Sequence, residues 1–452
     1  MELKKMVSSA EPRRIAVRAL TVMEQEEIPC HLVIRREVDG REDLTGRDRQ
    51  FCRRLIGGTV ENLILLDYCL NQVSNTPVRK MKPEIRAILR SAVYQILFMN
   101  SVPDRAAVNE AVRIVPKKYG RLKGFVNGVL RNIAGKREKL RLPDPLKSPE
   151  EYLSVRGSVP MTLLKKWIRE YGYETTVKIV GGFSEPAPLT VRFREDEDSL
   201  IRELKESGVS ASPAPYVKGA WNLSGVNGLA GLPAFSRGAL AVQDVSSMLA
   251  VLAAGIREGD VIVDLCAAPG GKSLYASDLA GKSGKVISRD LTGKKADLIR
   301  ENANRLGACN LEISAHDATV FDPSLERIAD VVLADVPCSG FGVIRRKPDI
   351  KYRWSEEKTK SLKDLQRSIL KQAVRYVRPG GTLIFSTCTF NPEENEENTA
   401  WITENSPLIP VPVAEHLPEE LKKEAENRGY LQLLPGIHPC DGFFIAKFYL
   451  PG

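Results

Sequence analysis

Between residues 11 and 135 the apolar side chains recur at helical spacing. Ile85, Ile88, Leu89, Ala92, Val93, Ile96 and Leu97 fall at i, i+3, i+4, i+7 and i+8, which puts them on one face of a helix. Phe51, Leu55, Thr59 and Leu63 trace a second stripe, and Phe125, Val129, Leu130 and Ile133 a third. Pro83 and Pro103 stand at expected helix starts, because the first turn needs no N–H from proline. These stripes are core positions and predict a bundle of about five or more helices over 1–142.

Proline and charge then cluster from Leu142 to Pro149, a linker signal. Residues 143–238 read as a small α+β connecting module. It should hold a helix over 160–180, a strand at Pro188–Arg194 and a charged helix over 196–207. From 239 to 452 apolar runs alternate with helical segments. The runs are Val261–Leu265, Lys285–Ser288, Leu311–Ser314, Val331–Val336 and Thr382–Ser386. This pattern predicts a doubly wound, Rossmann-like α/β domain with a ligand crevice at the carboxyl ends of parallel strands. Gly442–Tyr449 reads as one more strand, with antiparallel pairing open to it.

The 452 residues suffice for two or three domains, and 43% apolar with 27% charged residues is ordinary for a soluble protein. No apolar run reaches a membrane span. The start, with Lys4, Lys5, Arg13, Arg14 and Arg18, does not read as a secretory leader. A cytoplasmic protein with no membrane partner is expected. The net charge of +9 is unevenly spread. Residues 1–142 hold 28 Lys and Arg against 16 Asp and Glu, while the rest hold 38 against 41. A basic module beside a near-neutral one points to a polyanion held by the first and chemistry done by the second. Solubility alone is the plainer explanation of the same charge.

Eight cysteines, at 30, 52, 69, 266, 309, 338, 388 and 440, form no Cys-x-x-Cys pair, so no metal site is expected. Cytoplasmic thiols should stay reduced, most of them buried. Three lie in telling places. Asp264-Leu-Cys-Ala-Ala-Pro-Gly-Gly-Lys-Ser273 runs from a strand through small residues into a helix, a loop that lets a ligand approach the backbone. It is not a triphosphate loop, which would need glycine where Cys266 stands, and Gly-x-Gly-x-x-Gly is absent. Asp290, at the end of the second strand, suits ribose hydroxyls. Asp317, read as closing the third strand, could face an adenine amino group. Each acid alone also fits a helix cap. Together they point to a nucleoside cofactor.

Asp335-Val-Pro-Cys338 ends the fourth strand and Ser386-Thr-Cys388 the fifth. In such a sheet these strands are neighbours, so two thiols and a carboxylate should meet at one crevice. Buried packing is the usual fate of a single cysteine, but less so for a pair beside a cofactor loop. A thiolate can add to carbon 6 of cytosine and make carbon 5 nucleophilic toward a sulfonium methyl group. A second group must help to remove the carbon 5 proton, and a carboxyl group near N3 can favour addition. The target base must be unpaired or flipped out to be reached. Arg345, Arg346 and Lys347 follow the Cys338 loop and could hold adjacent phosphates; a solvated charge run is the alternative.

The C-terminal half resembles the RNA cytosine-5 methyltransferases of the NOL1/NOP2/Sun family. The resemblance rests on residues 264–272, Asp335–Gly340, Ser386–Cys388, Gln243–Ser247, Arg345–Ile350 and Asp441–Phe444. The N-terminal helices resemble the NusB-type RNA-binding bundle, through Leu44–Arg49, Val108–Val112 and Phe125–Arg131. The implied cofactor is S-adenosyl-L-methionine, held by Cys266, Ala267, Ala268, Pro269, Gly270, Gly271, Lys272, Asp290, Asp317 and Asp335. The resemblance makes Cys388 the nucleophile and Cys338 the aid to product release, with Asp335 also facing the base. It implies small-subunit rRNA as partner, before full ribosome assembly, and as target the 16S rRNA cytosine at position 967 in standard bacterial numbering. The sequence departs from the family pattern at Thr389, Val336, Ser158–Leu163 and Arg194. Rival readings are the same chemistry on tRNA or 23S rRNA, a DNA cytosine methyltransferase, and a non-catalytic RNA-binding assembly factor.

Overall fold

The computed structural model describes residues 11–452, apart from the side chains of Asn427 and Arg428; the first ten residues of the N-terminus read above lie outside it. The chain divides into two compact units. One comprises residues up to Ser184 together with Arg346–Arg353, and the other Glu185–Arg345 with Trp354–Gly452.

The first unit is helical. Its central helix, Pro83–Phe98, carries proline in its first turn and buries Ile85, Ile88, Leu89, Ala92, Val93 and Ile96. Gly46–Glu61 begins at a reciprocal cap in which Thr45 and Asp48 each satisfy the other's backbone N–H. The stripe read through Leu63 is interrupted, because this helix ends at Glu61 and Leu63 opens the next one, Leu63–Val73. Glu11–Glu26, Asp104–Ile114 and Lys123–Gly135 complete the bundle around one core. Residues 143–238, expected as one connecting module, are split between the units. Their first part forms Pro149–Gly157, Met161–Tyr171 and Tyr173–Gly182 in the helical unit. The single helix expected over 160–180 is broken at Gly172, whose φ of +77° only glycine adopts readily.

Ser158, one of the departures from the family pattern, closes Pro149–Gly157 in the left-handed region and accepts the buried N–H of Leu65 on its hydroxyl at 3.0 Å. Lys351 is 2% exposed. Its ammonium donates to the carbonyls of Glu61 and Gly157 at 2.8 and 3.0 Å. Burial lowers its pKa to about 7, against the opposing pull of Glu61.

The second unit holds two sheets. The smaller has four strands, β1 (Leu189–Phe193), β2 (Ser210–Pro213), β3 (Ala220–Ser224) and β4 (Leu240–Val242), in the order β2-β3-β1-β4. Helix Glu197–Glu206 follows β1, with Asp196 as its cap. The larger comprises β5 (Val261–Asp264), β6 (Lys285–Asp290), β7 (Leu311–Ala315), β8 (Ala329–Asp335), β9 (Val377–Thr387), β10 (Ile409–Val411), β11 (Tyr430–Leu433) and β12 (Phe443–Tyr449). Its order is β10-β12-β9-β8-β5-β6-β7, with β11 added beside β12. β5 to β9 pair in parallel, and β12 joins β9 antiparallel. Apolar residues pack on both faces, as a covered parallel sheet requires. No helix among the described residues is long and apolar enough to cross a membrane.

Arg194 and Arg192 converge on Asp278, in helix Gly271–Ala280, at 2.7 and 2.6 Å, and Arg194 also donates to the carbonyls of Gly238 and Leu306. The departure at Arg194 is therefore structural: it fixes the small sheet to the helix that follows the candidate cofactor loop. Asp278→Ala would leave two part-buried guanidinium groups without their counter-charge. A loss of about 3 kcal/mol is expected in urea denaturation of the full chain; a loss below about 1 kcal/mol, the scale of a surface pair, would contradict this role.

Candidate active site

The loop between β5 and helix Gly271–Ala280 is folded back on itself. Gly270 N–H donates to the Ala267 carbonyl at 2.7 Å, and Ala267 N–H donates to the Arg289 carbonyl at 2.9 Å. Gly270 has a φ of +106°, and a Cβ there would press on Ile299 and Leu274 at 3.3 Å. The conformation thus favours glycine, and a side chain would also need its two neighbours to give way slightly. Ala268 N–H donates to Asp290 at 2.9 Å, so the acid at the end of β6 is attached to this loop. Asp290 is almost fully buried and also accepts from Leu291 N–H and the Lys295 ammonium.

Asp264 ends β5, fully buried, and accepts from the Ser273 hydroxyl at 2.6 Å. Burial raises its pKa to about 6, although the Ser273 hydrogen bond works the other way. The backbone of Cys266 also interacts with this carboxyl, whereas the buried amide oxygen of Gln243, whose side chain lies beside Gly271, has no partner. A buried acceptor without a donor beside a small-residue loop fits a ligand that brings donors, such as the amine and hydroxyl groups of S-adenosylmethionine. Asp317 stands apart. β7 ends at Ala315, so Asp317 lies beyond the strand it was expected to close, and its exposed carboxylate accepts from Thr319 N–H and hydroxyl in its own turn. Those bonds, the backbone one foremost, lower its pKa.

At the next crevice edge the β8–β9 register places Asp335 opposite Ser386. The Ser386 hydroxyl donates to Asp335 at 3.0 Å, and the Lys272 ammonium donates to its other oxygen at 2.6 Å. Burial disfavours the Lys272 charge, but Asp335 outweighs it and raises the pKa. Just beyond, the sulfurs of Cys338 and Cys388 lie 3.3 Å apart. The hydrogen bond to Cys388, then burial, raises the Cys338 thiol well above its usual range. Burial, then the charges of Asp264, Asp290 and Asp335, also raises Cys266. Among the described residues no cysteine forms a disulfide; Cys30, Cys52, Cys69 and Cys440 are buried and Cys309 is exposed.

The two cysteine loops share a buried polar network that sequence inspection did not assign. Glu394, Asn391, Asn395, Asn398, Gln366 and Gln432 are all fully buried. The Ser339 and Thr389 hydroxyls meet at 2.7 Å, and Gly342 N–H donates to the Cys388 carbonyl at 3.0 Å. The signal was present as Asn391-Pro-Glu-Glu-Asn-Glu-Glu-Asn398, but such a run reads equally well as a solvated helix start. Arg345 corrects another expectation: it forms a buried pair with Asp441 at 2.6 Å and is not available to phosphates. Arg346 and Lys347 are exposed.

Residues 251–449 match the family described as 16S rRNA methyltransferase RsmB/F, and residues 10–135 match the NusB family. A probable ribosomal RNA small subunit methyltransferase B of Bacillus subtilis (strain 168) is 36% identical over 97% of this chain and 99% of its own length. The ribosomal RNA small subunit methyltransferase B of Pectobacterium atrosepticum is 30% identical over 90% of this chain and 92% of its own. Among solved structures, PH0851 superposes with a TM-score of 0.77 at 25% identity, covering 97% of this chain and 98% of that one.

The raised pKa of Asp264 has a definite sign. The folded state binds this proton more tightly than the unfolded state, so the group's contribution to stability is complete below the unfolded value near 3.8 and falls as pH rises through about 6. Relative to Asp264→Asn, the wild type should lose about 2–3 kcal/mol between pH 4 and pH 7. Paired urea titrations at several pH values measure this; a constant difference would mean Asp264 is not held against ionisation.

Proposed function

Because the chain belongs to the 16S rRNA methyltransferase family and is fused to a NusB-family module, we propose that it methylates carbon 5 of one cytosine in 16S rRNA through a covalent cysteine adduct. It is an S-adenosylmethionine-dependent methyltransferase. The observation that carries the finer reading is the pair of cysteine sulfurs 3.3 Å apart at adjoining strand ends, beside a carboxylate–ammonium pair.

Bound S-adenosylmethionine supplies a sulfonium methyl group. Cys266 to Lys272 and Asp290 would form its bed, and the Asp290 carboxylate would accept from ribose hydroxyls. Asp317, on an exposed turn, would face the adenine edge, and Asp335 would serve the cofactor and also face the base. Cys388 adds as thiolate to carbon 6 of the cytosine, and the displaced electron pair makes carbon 5 nucleophilic. A carboxylate beside an ammonium complements the cytosine edge: Asp335 accepts from the exocyclic amine, and Lys272 donates toward N3 or O2. After methyl transfer the carbon 5 proton passes to the Cys338 sulfur in its thiolate form. The carbon 5–carbon 6 double bond re-forms, and the carbon 6–sulfur bond breaks with its electron pair returning to Cys388. The basic helical module supplies salt-sensitive affinity for the RNA backbone, and the target base is presented unpaired.

Cys388→Ala should give neither methylated product nor adduct, with cofactor binding retained. Cys338→Ala should attack and methylate but stall, accumulating an RNA–protein adduct that survives denaturing electrophoresis. Trapping with Cys388→Ala instead would reverse the roles. Bisulfite mapping of 16S rRNA with and without the protein locates the target, and no change there, with a change in tRNA or 23S rRNA, would move the substrate. Asp290→Ala should weaken S-adenosylmethionine binding by about 1–3 kcal/mol in calorimetry. Unchanged affinity would remove Asp290 from the cofactor site.

A further inference from the structure

Behind the two thiols lies a carboxylate that the methylation scheme does not use. Glu394 is fully buried, and among the described residues no lysine or arginine pairs with it. Three N–H donors hold it instead. Its Oε2 accepts from Ser339 N–H at 2.8 Å and from Gln366 Nε2 at 2.9 Å, and its Oε1 accepts from Asn391 Nδ2 at 2.9 Å. Gln366 Nε2 also donates to the Pro337 carbonyl at 2.9 Å. The residues on both sides of Cys338 are therefore fixed by Glu394 and Gln366, while Asn391 ties the same carboxylate to the chain just after Cys388. A buried charge without a counter-ion is expensive to keep, and hydrogen bonds alone could be made by a neutral amide. The charge itself calls for a use.

From this placement we infer that Glu394 is a positioning residue of the two-thiol site, which locks the Cys338 loop to the Cys388 loop and keeps the pair's proton on Cys338. The inference rests on the covalent mechanism proposed above. The charges around the thiols are arranged asymmetrically. The hydrogen bond to Cys388 and burial oppose the ionisation of Cys338 most, and the charges of Cys388, Glu394 and Asp335 add to them. Asp335 is offset by Lys272, whose ammonium interacts with Cys388. Glu394 has no such offset. An anion by one sulfur and a cation by the other leave Cys388 as the thiolate, with the Cys338 S–H donating to it across 3.3 Å. Cys388 then attacks first. Cys338 must give its own proton to solvent water before it can take the carbon 5 proton, so adduct release should quicken as pH rises.

Site-resolved alkylation of the full chain with iodoacetamide, followed by peptide mass spectrometry across pH, tests this. In the wild type Cys388 should react at lower pH than Cys338. Glu394→Gln keeps the shape and removes the charge; the unpartnered Oδ1 of Asn391 can accept the new amide when that side chain turns over. In this variant the Cys338 midpoint should fall by about one pH unit, a roughly tenfold change in ionisation, and adduct release should shift to lower pH with it. A midpoint that stays or rises would reduce Glu394 to a structural brace. Should Glu394→Gln fail to fold, the wild type decides: Cys338 reacting ahead of Cys388, or release independent of pH, would overturn the inference. Adduct trapping with Cys338→Ala reports on the covalent mechanism alone, so its failure is distinguishable from a failure of Glu394.

Discussion

The site depends on the parallel pairing of β8 with β9, in the register that sets Asp335 opposite Ser386. Each strand ends within three residues of a cysteine. Two parallel strands lie ~5 Å apart, so loops leaving their carboxyl ends on the same side have little room to diverge. A slip of one residue would turn either strand over and send its side chains to the opposite face. The register is held by apolar side chains on both faces, among them Val332, Leu383 and Phe385 on one and Val331, Leu333 and Ile384 on the other. The proximity of the thiols is thus a consequence of sheet packing before it is a feature of the loops.

Sheet pairing alone would bring the loops near without fixing their separation. That falls to the buried amides and carboxylate around Glu394. Such a network is costly when half made and specific when complete. Here nearly every polar atom finds a partner: Asn395 bridges Thr389 and Gln432, and Asn398 bridges Gln366 and the Glu394 carbonyl. One acceptor is left over on each side, Asn391 Oδ1 in this network and Gln243 Oε1 beside the cofactor loop.

Charges that look alike in sequence end in different physical settings. Arg345, read with Arg346 and Lys347 as one basic run, is withdrawn into a buried pair with Asp441. Lys351, a few residues on, is capped by two carbonyls in the helical unit at the cost of its ordinary pKa. Arg194 spends its guanidinium on Asp278 and two carbonyls. Counting charge locates a basic module, but only burial and partners tell which cations remain for a polyanion.

By itself the sequence determined the elements and their order. Period-3.6 stripes mark the bundle, apolar runs mark β5, β6, β8 and β9, and Cys338 and Cys388 each follow a strand end. These are local properties, written in spacing and turn chemistry. Only the tertiary structure decided the rest. It split residues 143–238 between two units, left Asp317 on an exposed turn and drew Arg346–Arg353 into the helical unit. It also buried Glu394 beside Cys338. Whether a polar side chain is solvated or enclosed depends on what packs over it from distant parts of the chain, and no local pattern of residues encodes that.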